Sequence, residues 1–227
     1  MPRLATGVRG RCARSGAASG AVGSTDACCG RSPARISASF PDLEGRALAR
    51  ILLLHKGVYG HALKISKRLR DGLEARGDTA VVRPLDEGAA DGGSFDAIVI
   101  GASIRHGKHN PAVMEFIRAQ LPLLSSKPSA FFSVNLVARK PAKITPETNP
   151  YARKFLAQSP WKPTVAAVFG GVLDYQRYGP FDRHAIRFIM KLTGGPTDLH
   201  TNTEFTDWDA VQRFAGRIAE IAGGRSA

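Results

Sequence analysis

From Arg50 onward the chain alternates short apolar runs with stretches of helical period, and this order most constrains its fold. Arg50–Leu54 (RILLL) reads as a strand buried on both faces. Ala62, Ile65, Leu69 and Leu73 then recur at helical spacing with basic residues between them, predicting an amphipathic helix that ends near Gly77. Thr79–Arg83 and Phe95–Ile100 are the next predicted strands. Asn110–Leu121 is the next helix, with Pro111 at a tolerated first-turn position. Ser129–Val134 and Val165–Leu173 are predicted as strands four and five, with a helix around Tyr151–Ala157 between them. A helix near Phe181–Leu192 follows. The last, over Asp207–Ile221, has Asp207 as its N-cap and Val211, Phe214, Ile218 and Ile221 as its apolar stripe. This pattern predicts an α/β fold, a doubly wound five-stranded parallel sheet with helices on both faces. Ligands of such sheets bind beyond the C-terminal strand ends, so the loops after Leu54, Ile100 and Val134 are expected to carry function.

The first forty residues differ from the rest. They are rich in Gly, Ala, Ser and Arg, hold a single acid (Asp26) and have no sustained apolar period. Such a stretch cannot bury enough apolar surface to offset its ordering entropy. We therefore expect residues 1–49 to be an unstructured extension, residues 50–222 the working domain and residues 223–227 a disordered tail. The extension has the composition of an organelle transit peptide, or of sequence translated upstream of a misplaced start. Its repeated glycines, which would interrupt an amphipathic transit helix, favour the second.

Of the formal +13 charge, residues 1–49 carry seven arginines against three acids, which leaves +9 to the domain. A basic surface favours anionic partners. Nucleic acid is not expected, because the aromatic residues sit in apolar runs and are not interleaved with the basic ones as a stacking platform requires. Cys12, Cys28 and Cys29 all precede the domain, which removes thiol chemistry, thiolate metal ligands and disulfides from its expected repertoire. The longest apolar run, Val165–Leu173, has nine residues, about half of a spanning helix.

Three loops stand out. His55–Ala62 is a glycine-bearing turn opening onto a helix N-terminus, which offers backbone N–H groups to a phosphate, although the same glycines also suit a plain tight turn. Gly101–His109 follows a small-residue turn with Arg105, His106, Lys108 and His109: a solvated basic loop, or a rim in which arginine grips carboxylates. Ser133–Pro141, continuing through Asn149–Lys154, is long for a strand-to-helix connection and basic. Its main chain can lie along a flat ring whose edge Asn135 is placed to hydrogen-bond.

Several segments together carry a resemblance. They are Gly101–Arg105, Pro128–Phe131, Ser133–Pro141 (SVNLVARKP), Asn149 with Tyr151–Leu156 (YARKFL), Tyr178 with Asp182 and Arg183, Ile189–Lys191 with Gly194 and Gly195, and Thr206–Trp208. In these the chain resembles the bacterial, flavodoxin-like, menaquinone-dependent protoporphyrinogen IX dehydrogenase family over nearly all of residues 51–221. The resemblance implies a flavodoxin-like fold with non-covalent FMN. It also implies six-electron oxidation of protoporphyrinogen IX to protoporphyrin IX in heme synthesis, with menaquinone or ubiquinone as acceptor; the redox chemistry belongs to the flavin. We assign Lys56, Gly57, Val58, Tyr59, Gly60, His61 and Ala62 of the first loop to the cofactor, with Ser103 of the second and Ser133, Val134, Asn135 and Leu136 of the third. Arg105, Arg139, Lys140 and Arg153 are assigned to substrate, and no acid–base residue is assigned.

One departure matters. Flavodoxin-type phosphate loops read Ser/Thr-x-Thr-Gly-x-Thr, whereas this chain, aligned on Gly60, has Gly57, Tyr59 and Ala62 at the hydroxyl positions. Hydrogen bonds to a charged group contribute about 1.5–3 kcal/mol each, so a weaker phosphate site is expected unless Lys56 and His61 compensate as cations.

The Phe181–Leu192 segment places Arg183, Arg187 and Lys191 in one stripe beside bulky apolar residues. That suits a helix lying among anionic headgroups, or one packed on the sheet with its basic side in solvent. Peripheral attachment to the cytoplasmic face of a bacterial inner membrane is expected, or to the mitochondrial inner membrane if the extension is a transit peptide. Homo-oligomerisation is left open. The competing readings are a general FMN-dependent quinone reductase and a non-catalytic flavin electron carrier.

Overall fold

The computed structural model describes residues 48–88 and 91–224. The three cysteines and nearly all of the expected extension lie outside the described residues.

Strand β1 (Arg50–Lys56) leads into helix α1 (His61–Glu74) and strand β2 (Thr79–Pro84). Strand β3 (Ala97–Arg105) turns back on the short β4 (Lys108–His109), and helices α2 (Pro111–Ala119) and α3 (Leu121–Ser126) follow. Next come β5 (Ser129–Asn135), α4 (Pro150–Gln158), β6 (Val165–Gly170) and β7 (Val172–Asp174). Helix α5 (Pro180–Thr193), strand β8 (Asn202–Glu204) and helix α6 (Trp208–Ala222) complete the fold.

The main sheet runs β2-β1-β3-β5-β6 with parallel pairing throughout, the order of a flavodoxin-like sheet. Its register sets Leu53 beside Val99 and Val99 beside Ala130. Strand alternation divides the core in two. Ile51, Leu53, Val99 and Phe132 face Ile65, Leu69 and Leu73 of α1 and Val211, Phe214 and Ile218 of α6. Leu52, Leu54, Ile98, Ile100 and Phe131 face Val113 and Ile117 of α2, Leu124 of α3 and Phe155 of α4. Burial on both faces explains why these strands read as unbroken apolar runs.

Four expectations need correction. The helix predicted over Asn110–Leu121 forms as α2 but ends at Ala119, and a separate α3 follows: Pro122, in the first turn of α3, has no N–H for an α2 carbonyl, and Gln120 leaves helical geometry (φ −105°, ψ 17°). The strand predicted over Val165–Leu173 breaks at Gly171. At Gly170 a Cβ would collide with the Phe205 carbonyl, so only glycine lets the two backbones approach there. Beyond that point β7 leaves the parallel sheet and pairs antiparallel with β8. The third concerns Arg183, which does not join an outer basic stripe. Its guanidinium turns inward, donating to the Tyr175 carbonyl (2.9 Å) and the Tyr178 carbonyl (3.3 Å). The fourth is the loop expected over Gly101–His109: β3 runs on to Arg105, and His106 and Gly107 turn the chain back into β4.

Candidate functional site

Beyond the C-terminal ends of β1, β3 and β5 lies a cavity of about 900 Å³. One end is the turn into α1. Gly60 is the helix N-cap in the left-handed region (φ 76°), a conformation glycine adopts without the Cβ penalty. No side chain caps this helix, so its first-turn N–H groups are not taken by a capping group. Their positive dipole end suits a phosphate.

Tyr59, Gly60 and His61 line this end, together with Lys64 one turn further along α1. Thr206 Oγ1 donates to the Gly170 carbonyl (2.8 Å) and pairs with His61 Nε2 (2.7 Å). With the hydroxyl proton so used, His61 donates through Nε2. Burial, aided by Lys64, lowers the His61 pKa against the opposing pull of Glu204, which disfavours the cationic role expected of it. The nearby cation is Lys64, bonded to Glu204 (2.8 Å).

The remaining residues of the first loop point elsewhere. Lys56 places its ammonium on Asp86 (2.8 Å), because strand parity carries it to the face of Leu52 and Leu54. Gly57 sits against Ser103, whose Oγ would lie 2.9 Å from an added Cβ. Val58 is exposed and Ala62 is buried in the core. These four can serve the cavity only through the backbone.

Ser103, Ile104 and Arg105 form one wall, and Val134, Asn135, Leu136, Val137 and Arg139 another. Asn135 is buried and its carboxamide is spent internally. Its Oδ1 accepts from the Ala138 N–H (3.1 Å) and from Asn149 Nδ2 (3.0 Å). Its Nδ2 donates to Ser133 Oγ (3.3 Å) and Asn149 Oδ1 (3.4 Å). The side chain thus shapes the loop, and no free amide edge is left for a ring. Ser133, fully buried, bonds His109 Nε2 (3.0 Å) and does not line the cavity. Lys140 and Arg153 are exposed and outside its lining, whereas Arg105 and Arg139 belong to it.

Sequence reasoning assigned the Phe181–Leu192 segment to a membrane surface and gave it no part in roofing the cavity. Tyr178, Asp182, Ile186, Ile189 and Met190 come from α5 and the segment before it. Tyr59 and Tyr178 meet edge to face, with ring centroids 5.2 Å apart. Asp182 accepts from His106 Nε2 (2.7 Å), Arg105 Nη2 (2.9 Å) and the Tyr59 hydroxyl (3.4 Å). Those bonds, from His106 first and then Arg105, hold its carboxyl below the usual carboxylate range. At the other end of α5, Arg139 donates to Thr193 Oγ1 (2.6 Å) and its carbonyl (3.3 Å). The helix is therefore fastened across the cavity at both ends. The sequence signal here was the presence of Tyr178, Asp182, Ile189 and Met190 in the resemblance.

A volume of this size, apolar walls, aromatic side chains and an uncapped helix N-terminus fit a flavin with a phosphate tail.

Comparison with known proteins agrees. Residues 52–200 match the flavodoxin domain. A protoporphyrinogen IX dehydrogenase (quinone) from Escherichia coli strain K12 is 44% identical over 175 residues, covering 76% of this chain and 96% of that one. A protein of the same name from Leishmania major is 42% identical over 181 residues, covering 76% of this chain and 75% of that one.

Proposed function

The chain belongs to the flavodoxin-domain family of quinone-linked protoporphyrinogen IX dehydrogenases, and from that premise we propose that it oxidises protoporphyrinogen IX to protoporphyrin IX, using FMN and passing the electrons to a membrane quinone. The observation that carries this reading is the roofed cavity, with an uncapped helix N-terminus at one end and Arg105 and Arg139 in its walls. Bound flavin supplies the redox chemistry; the protein's own groups bind, orient and exclude water. The α1 N-terminus is the anchor for the phosphate, which favours a phosphorylated flavin such as FMN over riboflavin. Val134–Val137 and the Tyr59–Tyr178 pair, which line the cavity, would hold the flavin ring. Leu136, Ile186, Ile189 and Met190 make the mouth apolar enough for a macrocycle and a quinone head, while the arginines suit propionates.

Among the described residues no helix is long and apolar enough to cross a membrane. Helix α5, however, exposes Phe181, Phe188, Ile189 and Leu192. With Arg187 and Lys191 on the same helix, this surface suits peripheral attachment to an anionic leaflet, the cytoplasmic face of a bacterial inner membrane, where the acceptor dissolves.

The purified full chain should release FMN on denaturation. It should form fluorescent porphyrin from protoporphyrinogen IX anaerobically, and only when a menaquinone or ubiquinone analogue is present. Flavin without that activity would contradict the reading and point to a quinone reductase or an electron carrier.

A further inference from the structure

We propose that Arg105 and His106 form a carboxylate-binding subsite at the cavity mouth, filled in this structure by Asp182 of α5, and that a substrate carboxylate takes the place of Asp182. This rests on the function proposed above.

Both carboxylate oxygens of Asp182 are engaged, Oδ1 by His106 (2.7 Å) and Oδ2 by Arg105 (2.9 Å). A substrate propionate presents the same pair of oxygens. The basic partners keep open faces, with side chains 46% and 65% exposed, while Asp182 is the covered member at 11%. An incoming anion can therefore reach both donors before the acid leaves. The Arg105 guanidinium is also held over the Tyr59 ring, 5.7 Å from its centroid, and so faces the cavity whether or not Asp182 is present.

The backbone favours the same reading. His106 and Gly107 lie between β3 and β4, both at positive φ (49° and 74°). Two-residue hairpin turns of this kind favour Asn-Gly, which adopts the conformation more readily than His-Gly. Among the described residues His106 is the one non-glycine at positive φ, and its ring reaches Asp182. The turn thus carries a conformational cost and places a second N–H donor beside Arg105.

At the two donors one carboxylate replaces another, and the displaced Asp182 turns out to water beside the first turn of α5. The exchange frees that turn while Arg139 still holds the far end through Thr193. Substrate entry and loosening of the roof become one event, and an esterified macrocycle cannot trigger it.

The test uses the flavin-loaded full chain, titrated with protoporphyrin IX and with its dimethyl ester, read by porphyrin fluorescence. Wild type should prefer the free acid. Arg105→Gln should cut that preference about tenfold, the scale of one charge-assisted bond. Asp182→Asn should increase it several-fold by removing the competitor. Hydrogen exchange on wild type needs no variant to fold: the free acid should speed exchange in the first turn of α5, and the ester should not. An acid-to-ester ratio unaltered by either substitution, or equal exchange with both porphyrins, overturns the subsite. If wild type is then still active with quinone, the subsite alone has failed; if it binds neither porphyrin, the proposed function has failed with it.

Discussion

The carboxamides of Asn135 and Asn149 are bonded to each other in both directions, at 3.0 and 3.4 Å, and each also caps a turn of helix. Asn135 accepts from the Ala138 N–H, and Asn149 from the N–H groups of Tyr151 and Ala152 at the start of α4. One buried contact thus closes the whole loop that forms a cavity wall. Asn149→Ala removes a cap and leaves the Asn135 amide short of partners. A loss of roughly 2–3 kcal/mol is expected, a melting decrease of about 5–10 °C. Flavin affinity should fall with it, because Val134–Val137 lose their fixed path; differential scanning fluorimetry and a flavin titration read both.

His109 gives the fold an acid limb. Burial pushes its pKa down to about 4, with its ring against Phe131 and Phe155. The unfolded chain, with an ordinary histidine pKa, binds the proton first as pH falls. The contribution of the neutral ring is therefore complete above the ordinary value and is lost on descent towards about 4. Between pH 7 and pH 4.5 this amounts to roughly 2–3 kcal/mol. His55 and His61, both lowered, act in the same direction. Denaturant midpoints across this range should fall steeply in wild type and more gently in His109→Phe.

Lys56 is not a phosphate ligand in this geometry, since its ammonium is on Asp86. Lys56→Ala should change flavin affinity by less than about twofold and stability by no more than about 1 kcal/mol, as for a surface ion pair. A flavin fluorescence titration checks this, and a tenfold loss would restore the cation to the site.

Attachment through α5 predicts two separable contributions. Reversing Arg187 and Lys191 together to Glu should weaken binding to anionic vesicles at low salt by at least about 2 kcal/mol, near thirtyfold, and salt should mimic the change in wild type. Phe181→Ser with Phe188→Ser should weaken binding at every salt concentration. Vesicle sedimentation distinguishes them, and binding untouched by either pair would remove α5 from the membrane.

The sheet was legible because each strand is buried on both faces and so reads as an apolar run, as Ile51–Leu54 and Ala130–Phe132 do. The N-cap at Asp207 and the stripe of α6 followed from local chemistry, and the structure repeats both. What escaped was set by distance in the chain. Asp182 meets Arg105 and His106 across more than seventy residues, and the Asn135–Asn149 pair joins two ends of one loop. Neither leaves a periodic trace. The placement of Lys56 was available in principle, since counting strand parity from Leu54 puts both on one face, away from α1. The inward turn of Arg183 was not, because helical spacing shows a stripe but not the Tyr175 and Tyr178 carbonyls that draw one member in.

The most direct test of the account is electron bookkeeping under strict anaerobiosis. Full-length protein is mixed with protoporphyrinogen IX and a quinone analogue, and quinol and porphyrin are measured together. Each quinone accepts an electron pair, so about three quinols should appear per porphyrin formed, with none in the absence of protein. Porphyrin appearing without quinol, or quinol formed only when a nicotinamide donor is supplied, would contradict it.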